Sequence, residues 1–531
     1  MLTLLIGGFL VALSRKTLIT GALTLTLANI ITRLIGFAYR IFMAGAIGAE
    51  GMGLYQLIMP IYSLAWAITC SGITTTLSRL VAAEHAKNEQ GNVRRLLRIS
   101  LLLTAGLSVL TTIVMYFGAE LVGVSILNEA RIVPSLRILS LSFVFMALGS
   151  CLRGYFLGLQ KTIVPAASQI IEQLARMGVI LLLAAAFIPR GLEYAAMMAV
   201  IGIVAGEALS FGYVAVAYKM NERKTGNGRR FFASTMVNKQ ALFAIVAMAT
   251  PLTLNRISSS FLSTVENVMI PNRLQAFGMA ADEAMAAFGS ITGMAMPLIF
   301  FPSAILVALS VSLVPSIAES MALGQTGRVN STISKSIVFT SIVAFGAGLI
   351  FVVFPHEIGQ IVYNQDLGMI LLVLGLMCPF WYLNITLNGL LNGLGEQIFI
   401  FRNSLLASGI NIAFVWFFVP MYGVWAFLVG WFISLIIVTF FDILRIRKKT
   451  AVHPDLMRWL VKPALAAFAA GLFVNFFHNN VVANILEGIP AVILSLILLM
   501  GLYAIAVILL KIININEVKQ MFASSTKRSK A

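Results

Sequence analysis

Two short runs decide how this chain is organised: LRGYFLGLQK at residues 152–161 and LNGLLNGLGE at residues 387–396. Aligned without a gap, Leu152, Gly154, Gly158 and Leu159 fall on Leu387, Gly389, Gly393 and Leu394, an offset of 235 residues. A second pair of blocks keeps nearly the same offset. In it Leu77, Ala82, Ala86, Gly91 and Val93 fall on Leu313, Ala318, Ala322, Gly327 and Val329. Two separate blocks at nearly the same spacing, 235 and 236 residues, point to an internal duplication.

The composition says what is duplicated. Of the 531 residues, 60% are hydrophobic and only 11% are charged. A soluble protein of this size would expose large apolar patches; lipid removes that difficulty. A membrane-crossing helix needs roughly 20 mainly apolar residues. The chain holds about fourteen such stretches, numbered here helices 1 to 14: 17–40, 51–79, 96–118, 133–157, 163–187, 195–218, 241–268, 287–315, 333–354, 367–390, 397–419, 424–444, 458–478 and 488–511. They are too long and too continuous for barrel strands, so the expected class is all-α and polytopic.

The repeat offset equals six helices, an even number, so both halves enter the membrane in the same direction. That predicts a parallel repeat of two six-helix bundles about an axis along the membrane normal, with helices 13 and 14 appended. The expected divisions are an interfacial or cytoplasmic segment 1–16, bundles 17–239 and 240–449, helices 13 and 14 in 450–511, and a basic cytoplasmic tail 512–531. Residues 2–13 are apolar but too short to span. Arg15 and Lys16 follow them, the reverse of a signal peptide, so they are expected to lie on the membrane. The repeated glycines, spaced small-xxx-small, are expected to let helices approach closely. Pro60 in helix 2, Pro251 in helix 7, and Pro297 and Pro302 in helix 8 interrupt their stretches.

The net charge of +17 is distributed as a topology signal. Basic residues gather in alternate loops: Lys87, Arg94, Arg95 and Arg98; then Lys219, Arg223, Lys224, Arg229, Arg230 and Lys239. They gather again at Arg445, Arg447, Lys448 and Lys449, and in the tail at Lys511, Lys519, Lys527, Arg528 and Lys530. The intervening loops hold Arg131, Arg137, Arg190 and Arg273. The positive-inside rule then puts both termini in the cytoplasm of a cell-membrane protein, and nucleic acid is not needed to explain the charge. Cys70, Cys151 and Cys378 lie in apolar stretches without metal or disulfide spacing, and the four histidines stand singly. No metal site or cofactor is expected.

Charges inside the membrane are the candidate functional groups. An arginine at the bilayer centre costs about 2.5–3.5 kcal/mol on insertion scales, so it needs a partner or a wet cavity. Arg33 in helix 1 and Arg256 in helix 7 occupy the helices that open the two halves, beside Asn29 and Asn255. They are expected to line a cationic cavity for an anionic headgroup, with Arg40 and Arg79 nearby. Arg153 and Arg402 sit near helix ends, where snorkelling to water is expected. Glu172 and Arg176 are four apart on helix 5, the spacing of an ion pair. Glu207, in mid helix 6 with no local cation, is a candidate for ion coupling, as is Glu172. There is no G-x-x-x-x-G-K-[ST] phosphate loop, so an ion gradient, the membrane potential or substrate consumption must drive any transport.

TRLIGFAYRIFMAGAIGAEGMGLY (32–55), FPSAILVALSVSLVPSIAES (301–320) and the 152–161 block together resemble the multidrug/oligosaccharidyl-lipid/polysaccharide (MOP) exporter superfamily, over nearly the whole chain. Within it, the resemblance is to the polysaccharide-type exporters of the stage V sporulation protein B group. It implies two six-helix bundles around a central cavity and the outward flipping of a polyprenyl-diphosphate-linked saccharide, such as a peptidoglycan precursor for spore cortex. The T/S-R-x-x-G-F pattern of the superfamily's lipid II flippases maps to Thr32, Arg33, Gly36 and Phe37. Their Ala-Asp-Arg in helix 8 is replaced by Ala295, Met296 and Pro297, a smaller cationic complement. The expected partners are that substrate and membrane lipid. A cation-coupled multidrug exporter of the same fold is the alternative. A membrane glycosyltransferase is disfavoured because no loop exceeds about 20 residues and no catalytic constellation is visible.

Overall fold

The computed structural model describes the backbone of residues 2–224, 236–450, 452, 454–486 and 488–512, and within these the side chains from residue 24 onward, Lys224 excepted. The side chains of residues 2–13, Arg15 and Lys16, the loop cations Lys224, Arg229 and Arg230, His453, and the tail from 513 lie outside the described residues. The described residues form helices joined by short turns, with fourteen helical stretches long and apolar enough to cross a membrane, Thr24–Ala86 counted as one and Ala281–Phe300 and Ala304–Ala322 as two. The protein is a multi-pass membrane protein.

Backbone chemistry sets where the helices break. Thr24–Ala86 covers 63 residues, which as one rod would be ~95 Å, about three hydrocarbon thicknesses. Gly48 divides it. Its φ of 66° and ψ of −173° are non-helical and open to glycine alone, so helices 1 and 2 are separate crossings. Helix 2 then passes through a π turn, Ala67–Ser71, into Gly72–Ala86. Helix 8 is fragmented as its prolines require: Ala281–Gly289, a π segment Ser290–Ala295, Met296–Phe300, then Ala304–Ala322 after a break that contains Pro302. Pro60 and Pro251 stay inside continuous helix.

Two compact units result, residues 1–293 and 294–531. In the first, helix 3 (Gln90–Glu120), helix 4 (Val133–Gly158), helix 5 (Ile163–Phe187), helix 6 (Leu192–Lys224) and helix 7 (Asn238–Ala276) join helices 1 and 2. Leu77, Leu96, Phe156, Val214 and Ile245 belong to one buried cluster, which draws the start of helix 7 into this unit. In the second unit, helix 9 is Thr326–Val353, helix 10 Gly368–Gly393, helix 11 Gln397–Phe417 and helix 12 Val424–Thr450. Helix 13 (Met457–Phe477, beginning in a π turn) and helix 14 (Ile489–Leu509) dock on helix 9. There Trp459 Nε1 donates to Ser334 Oγ at 3.1 Å and the Tyr503 hydroxyl donates to Ile342 O at 3.0 Å.

The repeated glycines perform the same packing in each unit. A Cβ on Gly154 would lie 2.7 Å from Thr74 O, and one on Gly158 2.7 Å from Ser78 O and 2.8 Å from Val81 Cβ. A Cβ on Gly389 would lie 2.7 Å from Ser310 O, and one on Gly393 3.0 Å from Val314 O and 2.8 Å from Ile317 Cβ. Helix 4 meets helix 2 as helix 10 meets helix 8, at the residue positions the sequence offset pairs. The packing role expected of these glycines is therefore observed. Cys70, Cys151 and Cys378 are buried and unbridged, as packing residues would be.

Candidate functional site

The four residues expected to line a cationic cavity are all left out of the packed core. Asn29 and Arg33 on helix 1, and Asn255 and Arg256 on helix 7, have exposed side chains. Neither Arg33 nor Arg256 has an ion-pair partner among the described residues. Arg79 is exposed and Arg40 half-buried. The setting of Arg256 follows from an antiparallel seam between helices 2 and 7. Gly72 abuts Ala249 and Thr253, and the Thr264 hydroxyl reaches Pro60 O at 3.4 Å. Arg256 lies between these two contacts along helix 7, with its side chain exposed.

A second polar cluster is buried between helices 2, 4, 5 and 6 of the same unit. Gly202 and Gly206 let helix 6 press on helix 5; a Cβ on Gly206 would sit 2.8 Å from Glu172 O. That approach brings Glu207 beside the ion pairs of helix 5. Arg176 Nη2 donates to Glu172 Oε1 at 2.9 Å, and Arg153 Nη1 lies 3.9 Å from Glu172 Oε2. Arg153 also donates to Ser210 Oγ at 3.1 Å and to Ser150 Oγ at 2.8 Å. The snorkelling expected of Arg153 is thus corrected: helix 6 covers it, and a carboxylate and two hydroxyls satisfy it. Arg402 is exposed.

Glu207 is only 3% exposed. The Tyr62 hydroxyl donates to its Oε1 at 2.5 Å, while Oε2 has no hydrogen-bond partner among the described residues. No cation approaches it within ion-pair distance among the described residues. Glu172 therefore holds both arginines, and Glu207 keeps a neutral partner only. Such an arrangement suits a group that binds and releases a proton, since a fixed buried charge would be paired.

The second unit holds a polar cluster that the sequence reading missed. Asp442 of helix 12, 1% exposed, accepts from Asn403 Nδ2 at 2.7 Å and Asn384 Nδ2 at 3.2 Å. Asn388 Nδ2 donates to Asn384 Oδ1 at 2.8 Å, and Asn392 Nδ2 to Asn388 O at 2.9 Å. The signal was present as Asn384, Asn388 and Asn392, a four-residue ladder inside an apolar run. Outside the spans, Glu396 pairs with Arg445 at 2.6 Å and Lys449 at 2.7 Å. Its bonds from Lys449 and Arg445 hold the carboxyl below its ordinary 4.5. No group of three or more metal-ligating side chains occurs among the described residues.

Residues 18–321, more than half of the chain, match the sequence profile of a family described as polysaccharide biosynthesis protein. The chain belongs to that family. The chain is 30% identical over 400 residues to stage V sporulation protein B of Bacillus subtilis, covering 75% of this chain and 76% of the relative. It is 24% identical over 338 residues to the lipid II flippase MurJ of Bacillus subtilis, covering 60% and 61%. Among solved structures it resembles lipid II flippase MurJ in an inward closed conformation. The TM-score is 0.68 at 14% identity, over 91% of this chain and 97% of that one. It also resembles an inward-facing MATE multidrug transporter of the MOP superfamily, with a TM-score of 0.61 at 16% identity over 80% and 96%. The fold of the chain is thus that of the MurJ flippase and of the MATE transporter.

Proposed function

We propose that the protein flips a polyprenyl-diphosphate-linked saccharide, a peptidoglycan precursor for spore cortex, to the outer leaflet by alternating access. The observation that carries this reading is the pair Arg33 and Arg256: exposed, without ion partners among the described residues, and on the helices that open the two sequence repeats. An unpaired guanidinium at membrane depth is costly unless it meets an anion or water, and its planar fork suits a diphosphate. Asn29 and Asn255 add donors beside them, and Arg40 and Arg79 extend the positive path along helices 1 and 2. The similarity to relatives named for sporulation and for lipid II flipping supports the choice of cargo class.

In this reading residues 17–239 and 240–449 are the two halves that rock about the bound headgroup, with both termini in the cytoplasm of a cell-membrane protein. Outward movement of an anion from a negative interior gains about 2.3 kcal/mol per charge per 100 mV. Glu207 supplies proton coupling, and Glu172 holds the arginines beside it. Reconstitution into proteoliposomes with fluorescent undecaprenyl-diphosphate saccharides tests the function. Quenching of outer-leaflet label must rise with protein, and no protein-dependent flipping of any such lipid refutes the reading. The buried Glu207 also favours a second reading, a cation-coupled drug exporter, which raised drug sensitivity on deletion would support.

A further inference from the structure

Helix 7 carries more than an arginine on its exposed side. Arg256, Ser260, Ser263 and Asn267 follow at intervals of four, three and four residues, so they line one face. Beyond Arg256 that face, with Ser259, borders an open cavity of about 370 Å³, lined also by Gln56, Met59, Pro60 and Ser63 of helix 2 and by Thr292 of helix 8. The volume is within the range of small-molecule sites and would hold about a dozen waters at roughly 30 Å³ each. No charged and no aromatic side chain lines it.

The hydrogen-bonding capacity of this wall is specific. The hydroxyls of Ser63, Ser260 and Ser263 have no protein partner among the described residues. The Thr292 hydroxyl donates back to Phe288 O at 2.7 Å, which leaves its oxygen lone pairs for the cavity. Asn267 and Gln56 each commit one N–H, to Ser263 O at 2.7 Å and Thr292 O at 2.8 Å, and keep their carbonyl oxygens. Helix irregularity adds acceptors. Pro60 lacks the N–H that would bond Gln56 O, and the π segment Ser290–Ala295 frees Thr292 O for Gln56. These donors and acceptors lie within membrane helices, where lipid can satisfy none of them. In the open cavity water can pair with them, and a neutral, hydroxyl-rich ligand offers the matching donors and acceptors.

We propose that this cavity is the saccharide subsite, receiving the first sugar of the lipid-linked cargo while Arg256 holds the diphosphate. The inference rests on the flippase reading and adds which part of the cargo is recognised where. Ser260 is one helical turn from Arg256, a rise of ~6 Å, and Ser263 and Asn267 follow within two more turns. A sugar bonded directly to the distal phosphate falls at that spacing. Cargo without a sugar would leave the hydroxyls and carboxamides unmatched, which is how a polar site rejects a ligand that lacks hydroxyls.

The test uses the full chain in lipid nanodiscs and two probes, undecaprenyl diphosphate and undecaprenyl-diphospho-N-acetylglucosamine. Wild type is expected to bind the sugar-bearing lipid about tenfold more tightly, the worth of one or two net hydrogen bonds. Ser263→Leu fills the cavity and is expected to abolish that preference while leaving affinity for the sugar-free lipid unchanged, which also shows that the variant is folded. Ser263→Ala, which adds no bulk, is expected to lose about threefold on the sugar-bearing lipid only. Equal affinity of wild type for the two probes, or an undiminished preference in Ser263→Leu, overturns the subsite and leaves the flippase reading standing. Binding of neither probe by wild type overturns both.

Discussion

Tyr62 of helix 2 donates its hydroxyl to Glu207 of helix 6 at 2.5 Å, the one hydrogen bond that the buried carboxyl receives among the described residues. The bond joins two helices across an interior that otherwise balances its own charge, because Glu172 is already held by Arg153 and Arg176. Glu207 is therefore the member of the cluster whose protonation alters no existing ion pair.

This makes Glu207→Gln informative. Glutamine keeps the acceptor for Tyr62 and has nearly the same volume, so fold and abundance should be retained. Its side chain does not titrate. Transport by the variant is expected to lose its response to an imposed pH gradient, while exchange of cargo across the membrane continues. Tyr62→Phe, which removes the donor, is expected to change the pH of half-maximal transport. Proteoliposomes with and without a pH jump measure both, and an undiminished response in Glu207→Gln removes Glu207 from coupling.

The paired glycines give a stability prediction with a worked sign. Alanine normally favours a helix over glycine by about 0.5–1 kcal/mol. At Gly154 and Gly389 the new methyl would meet a carbonyl oxygen at 2.7 Å, and relief requires backbone movement. Overpacking of that kind costs about 1–3 kcal/mol, so the net effect is destabilising. Gly154→Ala and Gly389→Ala should each lower the thermal midpoint in detergent. Gly106→Ala and Gly178→Ala, with nothing within 4 Å, should hold or raise it. Equal midpoints in all four would mean that these glycines do not set the helix approach.

The same glycines show why so much of the architecture was legible. Helices in lipid need long apolar runs, close approach needs small residues at fixed spacing, and a duplicated chain repeats both. Arg33, Arg256 and Glu207 were legible for a related reason, since a charge in an apolar run stands out. What a single chain conceals is the covering of one helix by another. Arg153 reads as a helix-end residue until Gly206 and Ser210 bring helix 6 over it. Asp442 reads as part of a basic cytoplasmic end until Asn384 and Asn403 reach it from two other helices. The saccharide-sized cavity was concealed in the same way, because its serines are common in helices and acquire meaning only where three helices leave space between them.

Glu396 supplies a pH prediction outside the membrane. Its folded-state pKa is below the ordinary 4.5 because Lys449 and Arg445 favour the carboxylate. Its contribution to stability is therefore complete above pH 4.5 and is lost as pH falls from there through the depressed value. Glu396→Gln should lower the thermal midpoint at pH 7 by about 2–4 °C, the effect of ~1 kcal/mol in a unit of this size. The difference from wild type should close on titration below pH 4.5. A gap that persists unchanged at pH 3 would assign the effect to packing.

Arg33 and Arg256 decide the cargo. Both are outside the packed core, so truncation should not reduce abundance. Arg33→Ala is expected to abolish flipping of the diphosphate-linked lipid while the protein accumulates normally. Arg33→Lys retains the charge but not the planar two-point grip on phosphate, and should recover only part of the rate. If both arginines hold one diphosphate, the double variant Arg33→Ala/Arg256→Ala will lose less than the sum of the single losses, because the second truncation removes a contact already weakened. Strict additivity would mean two independent roles. Flipping at the wild-type rate by both Arg33→Ala and the double variant would sink the diphosphate reading altogether.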